Sequence, residues 1–279
     1  MTAAVPGGEA DPMGVAVPSS AAAPLARRRR ALAAWAASWA VLLALTFVGV
    51  TALTLALWLT DPGYAETTPV GDLAFFALGA AITLGFAVQV RHPERHVAGV
   101  HQALVGSLCL ALAGVVGARV EPAVGGFVLL VAALVLLALH PRRGVARPTV
   151  AGLSRPLAGL AVLGLVPAVG FAGALLGMAR DAGPSCFAGQ CARGDRFAEA
   201  AAAAVAIALL AAVAAGRARG WRLLVWVAGV GALVIGAASL AVPDAAEAPS
   251  GVWAAVAVLW GIAVVIVGER EARRTPRGR

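Results

Sequence analysis

Four histidines and two close cysteines are the side chains in this sequence best suited to chemistry. His92, His96, His101 and His140 are all the histidines present, and imidazole ligates zinc and haem iron readily. His92 and His96 straddle Pro93 in what reads as a turn, so their spacing does not put them on one helical face. His92-Pro93 and His140-Pro141 both read as helix stops, and Glu94 is the one carboxylate beside them. The set falls short of a metal-binding pattern. His101-Gln102 sits about one turn into an apolar run. A polar pair there either hydrogen-bonds a neighbouring helix or lines a cavity on the cytoplasmic side.

Cys186 and Cys191 stand in the run Cys-Phe-Ala-Gly-Gln-Cys. On the outer side of a membrane such a pair is expected to close as a structural disulfide, since redox-active pairs more often read Cys-x-x-Cys. Cys109 lies within an apolar run and reads as a small packing residue. Pro167 falls mid-way through another run, where it removes a backbone hydrogen bond and kinks a helix. Gly173-x-x-x-Gly177 in the same run is expected to bring two helices close. The sequence holds no phosphate-binding loop, no Gly-x-Ser-x-Gly elbow and no His-Glu-x-x-His. No catalytic residue, cofactor or metal ligand is therefore assigned, and the chain is not expected to be an enzyme.

The elements that carry these residues are set by Arg27–Arg30 and the uncharged run Ala31–Thr60 that follows. Four arginines resist crossing a bilayer, and the apolar run is long enough to span one. A signal-peptide core needs only about 7 to 15 residues, so this run reads as a retained transmembrane helix. Trp35, Trp39 and Trp58 read as markers of its two interfaces. The whole chain is 61% hydrophobic and 13% charged, with mean hydropathy +0.87. Soluble domains carry about 25% charge, so this chain cannot cover a water-facing surface. The uniformly apolar runs exclude a transmembrane barrel, which alternates. A net charge of +8 would suit nucleic acid, but the arginines gather at the ends of apolar runs rather than on one face, so no nucleic-acid partner is expected.

Seven further spans are predicted at Leu73–Val90, Val97–Ala118, Ala123–Leu139, Pro156–Met178, Phe197–Ala215, Trp221–Val242 and Val252–Val267, with a tight turn at Arg119–Pro122. None carries a charge well inside it. With the N-terminus inside, all but four of the 22 basic residues, every one an arginine, fall on the inner side. The four outside are Arg119, Arg180, Arg193 and Arg196, an asymmetry in the sense of the positive-inside rule. The expected fold is all-α: a polytopic bundle of about eight spans in the cell membrane, both termini cytoplasmic. It reads as two parallel four-helix halves, because Gly71-Asp72 and Gly194-Asp195 each precede a similar order of span, basic turn, span, outer turn and span. The expected organisation is a disordered tail over 1–30, a first half over 31–140, a basic linker over 141–155, a second half over 156–268 and a basic tail over 269–279.

Two stretches, Arg91-His92-Pro93-Glu94-Arg95-His96-Val97-Ala98-Gly99 with Gln102, and Leu139-His140-Pro141-Arg142-Arg143, give the first half its character. In them the chain resembles multi-spanning integral membrane proteins of high-GC bacteria that are themselves uncharacterised, and the resemblance implies no activity. Three functions remain open. The first is a structural component binding a membrane-protein partner or a second copy. The second is a transporter or channel for a neutral or lipid-like solute, and the third a membrane-embedded haem or metal protein. The lipid bilayer is the one partner common to all three.

Overall fold

The computed structural model describes residues 22–60, 69–141, 152–183 and 192–274. Eight long helices account for nearly all of them: α1 Ala22–Thr60, α2 Pro69–Arg91, α3 Val97–Val116, α4 Val120–Leu139, α5 Arg155–Asp181, α6 Ala192–Ala215, α7 Trp221–Ala241 and α8 Gly251–Arg274. Each is long and apolar enough to cross a bilayer, and no strand occurs among the described residues. Leu45, Val48, Leu59, Leu163, Val166 and Leu259 are among many large apolar side chains left exposed. In water such a surface would aggregate, whereas in lipid it is the ordinary outer face of a helical bundle. The protein is an eight-span, multi-pass integral membrane protein.

Helix α1 begins before the arginines rather than after them. Arginine is a good helix former and Pro24 falls in the first turn, where its missing N–H costs no bond. The four arginines therefore extend the helix out of the apolar layer, and residues 22–30 are helical rather than part of a tail. Trp35 packs against the neighbouring helix α4. Its indole N–H donates to the Ala132 carbonyl of α4 at 3.1 Å, and its ring meets that of Trp39. The side chain of Trp58 lies outside the described residues. Between α3 and α4 the tight turn is present: Ala118 takes a left-handed φ of 56°, Arg119 is extended, and Pro122 sits in the first turn of α4.

Helices α2, α3, α6 and α7 form the buried centre, and α1, α4, α5 and α8 lie around it. The packing order recurs along the chain. Helix α1 packs on α2, α3 on α4, and α1 beside α4; α5 packs on α6, α7 on α8, and α5 beside α8. Small residues permit these contacts, since helices in lipid associate by close packing. Gly229 and Gly236 on α7 face Gly261 and Ala254 on α8, where an added Cβ would stand 2.9 and 2.8 Å from a carbonyl oxygen. Gly85 on α2 faces the Gly99 carbonyl of α3 in the same manner, at 2.7 Å. Gly173 and Gly177 make no such contact: a Cβ on either would meet nothing within 4 Å. The buried face of α5 carries Leu157, Ala161, Ala172, Leu175 and Ala179 instead, which turns the two glycines away from α6.

The helices alternate in direction, so each end of the bundle collects its own set of connections. One end, the basic end, gathers the start of α1, the α2–α3 and α6–α7 turns, the start of α5 and the end of α8. There Arg217 pairs with Glu271, Ser154 Oγ donates to Glu271 at 3.1 Å, and Ala98 N–H donates to the Arg219 carbonyl at 2.9 Å. The other end gathers Gly71-Asp72, the α3–α4 turn, Gly194-Asp195 and the α7–α8 loop.

Candidate functional site

A groove enclosing about 620 Å³ runs between α5 and α8, with α6 and α7 as its floor. Leu163, Pro167, Phe171 and Met178 form one wall, Trp253 and Trp260 the other, and Ile207 and Ile235 line the floor. The volume is that of a small-molecule site, and every side chain just named is apolar. Its length follows from helix geometry. Ser250 to Trp260 rises about 15 Å along α8, and Leu163 to Met178 about 22 Å along α5. The groove thus starts at the Gly-Asp end and covers about half (along α8) to three-quarters (along α5) of a hydrocarbon core about 30 Å thick. Trp260 stops it there. Its ring lies against Gly164, and its indole N–H donates to the Leu160 carbonyl at 2.7 Å.

Pro167 belongs to this wall, and α5 continues through it unbroken. Having no N–H, it leaves the carbonyl of Leu163 without its helical donor. Leu163 also lines the groove near its inner limit.

Above the groove, at the Gly-Asp end, lies a buried network of ion pairs. Arg119 is 1% exposed. Its Nε donates to Asp195 Oδ1 at 2.7 Å and its Nη1 to the Gly183 carbonyl at 2.7 Å. Arg196 bridges Asp72, at 2.8 Å, and Glu199, also at 2.8 Å, with its guanidinium 5.1 Å above the Phe75 ring. Glycine makes room on both sides. A Cβ on Gly194 would stand 2.5 Å from Arg119 Cζ, and one on Gly71 would stand 3.4 Å from Glu247 Cγ. Each Gly-Asp pair therefore meets a side chain from a distant connection at the same end: Gly194 meets Arg119 from the α3–α4 turn, and Gly71 meets Glu247 from the α7–α8 loop.

This network was not read from the sequence. Glu199 in particular lies two turns into α6, inside a span expected to be free of charge. Its partner Arg196 is three residues away on the same helix, the spacing at which side chains meet, and that i, i+3 pair was the signal. The duplicated Gly-Asp was the other.

The expected site residues are dispersed. Gln102 is buried and its Nε2 donates to the Ala81 carbonyl of α2 at 2.5 Å, while His101 is half-buried on the neighbouring position. His140 is buried at the end of α4, its Nε2 3.2 Å from the Pro93 carbonyl. Among the described residues no three His, Cys, Asp or Glu side chains gather as a metal would require. Cys186 and Cys191 lie outside the described residues. Cys109 is buried in α3. Comparison with protein-family models, with curated proteins and with solved structures finds no match.

Proposed function

We propose that this membrane protein binds a neutral, lipid-like molecule in the groove between α5 and α8, and transports or presents it. The groove itself carries the reading. It is apolar, it lies between two peripheral helices, and it stops short of crossing the bilayer. A partner helix would need about 30 Å of length and a channel 10–12 Å across; a lipid chain needs one leaflet. Photocrosslinking tests it, using a phospholipid with a diazirine on its acyl chain in phosphatidylcholine vesicles. Label should concentrate on α5 and α8 and fall when Ala174→Trp fills the groove. Unchanged labelling of that variant would remove the reading. Flux of a panel of neutral solutes in the same vesicles then separates transport from binding.

The proposal includes placement in the cell membrane, with the basic end and both termini in the cytoplasm and the chain built as two parallel four-helix halves. The arginine asymmetry and the recurring packing order support it. A reporter active only outside the cytoplasm should be active after Asp72, Asp195 or Asp244 and silent after Arg95 or Arg143.

A second reading, a structural component that binds a partner membrane protein, draws on α1. This helix is the least buried of the eight, and Leu42, Leu45, Val48 and Leu55 leave it with a long apolar side uncovered by the described residues.

A further inference from the structure

A second concavity, of about 430 Å³, opens at the basic end between the start of α1 and the α2–α3 turn. It is walled by Arg29 and Arg30 from α1 and by Arg91, His92, Glu94 and Arg95 from the turn. The 3-10 turn at Pro93–Arg95 reverses the chain after Arg91 and so brings Arg95 back to the same opening. Glu94 is the only carboxylate of the lining, and it pairs with Arg29. Arg30, Arg91 and Arg95 make no ion pair among the described residues. Three guanidiniums thus line one opening with no ion pair of their own among the described residues.

The second half handles the same charge differently. At its basic end Arg222 is paired with Glu269 at 2.7 Å and Arg217 with Glu271. Arg155, Arg219 and Arg270 of the second half also make no ion pair among the described residues, but none of them lines this opening.

We propose that this pocket is a binding site for the phosphate headgroup of an acidic phospholipid in the leaflet that meets the basic end. Guanidinium forks match phosphate oxygens two at a time, and basic pockets between spans are suited to anionic headgroups. The site is placed for a lipid rather than for free phosphate. Ala33 and Val90 also line it, and both lie on the span side of the arginines on their own helices, so an acyl chain leaving the headgroup meets apolar surface. The site is separate from the groove between α5 and α8, and each stands without the other.

The test is native mass spectrometry of the full chain titrated with phosphatidylglycerol or phosphatidylcholine, each with and without excess inorganic phosphate. The wild type should retain one phosphatidylglycerol where phosphatidylcholine has washed off, and phosphate should not displace it. Arg91→Gln with Arg95→Gln should weaken retention about tenfold, and Arg30→Gln alone should weaken it less. Arg222→Gln, at the same end but outside the pocket, should leave it unchanged. Equal retention of the two lipids would overturn the proposal. So would an equal loss in the Arg222 variant, which would mean general surface charge. Displacement by inorganic phosphate would replace the lipid with a free anion.

Discussion

The two ends of the bundle use arginine in opposite ways. At the Gly-Asp end there are few; of the two central ones Arg119 is fully buried and Arg196 part-buried. Arg119 and Arg196 are held by Asp195, Asp72 and Glu199, and both arginines reach across from one half of the chain to the other. At the basic end arginines are many and mostly exposed, and several carry no ion pair among the described residues. Number of charges and structural importance therefore run in opposite directions. A buried charge must be matched where it stands, so the sparse end is the one whose charges fix how the halves meet. Exposed charge in water or headgroups is screened and cheap to rearrange. That leaves the crowded end free to rearrange its charges at little cost.

The comparison breaks most visibly at Arg119. Arg119→Ala should cost about 3–5 kcal/mol, because it leaves the Asp195 carboxylate buried without its cation. The yield of monodisperse protein in mild detergent should collapse. Replacing both partners, Arg119→Met with Asp195→Leu, should recover much of that yield, since an apolar pair of similar volume removes the penalty rather than sharing it. A double variant as poor as the single one would show that the bond to the Gly183 carbonyl, not the ion pair, is what matters. Gly194→Ala should be the next most harmful, at about 1–3 kcal/mol from overpacking. Its Cβ would meet a guanidinium pinned from two sides, and the thermal midpoint should fall accordingly. The same change at Gly173, which faces open space, should leave the midpoint unmoved.

The eight spans were legible because lipid demands long apolar runs closed on themselves by helical hydrogen bonds, and such runs are plain in Ala31–Thr60 or Trp221–Val242. The tight turn at Arg119–Pro122 was legible for a related reason: proline and two charges do not continue a span. What Arg119 does was not. A charge at the end of a run looks the same whether it faces water or a carboxylate 76 residues further on, and only the packing of α4 against α6 separates the two. The glycines show the same limit. Gly173-x-x-x-Gly177 has the spacing for close contact, but the rotation of α5 decides whether that face meets a helix, and Leu175 and Ala179 set the rotation. The groove is a gap between elements, shaped by Trp260 folding onto Gly164. No single stretch of sequence carries it.

At the crowded end the expected effects are small. Arg222 makes a two-pronged pair with Glu269, which also accepts from the Trp226 indole at 3.0 Å. Its side chain is nonetheless 58% exposed. Arg222→Gln should change stability by about 0–1 kcal/mol, and the shift should shrink further in high salt. A loss as large as that of Arg119→Ala would erase the contrast between the ends.

The smallest expected effect is a dependence on pH, and it belongs to His96, just before α3. Partial burial lowers its pKa below the usual 6.5, with the neighbouring His92 and Arg95 adding to the shift. A base that is harder to protonate in the folded protein than in the unfolded chain binds its proton preferentially when unfolded, so protonation favours unfolding. The contribution is therefore fully present above about pH 6.5 and declines as the pH falls through that value toward the lowered one. Thermal midpoints of the wild type and of His96→Gln, compared between about pH 7.5 and about pH 5.5, isolate the ring. The wild type should lose more than the variant on acidification. Parallel loss in the two would mean that His96 carries its charge in the folded protein as easily as in water. The basic end would then be indifferent to this ring, as it is expected to be to Arg222.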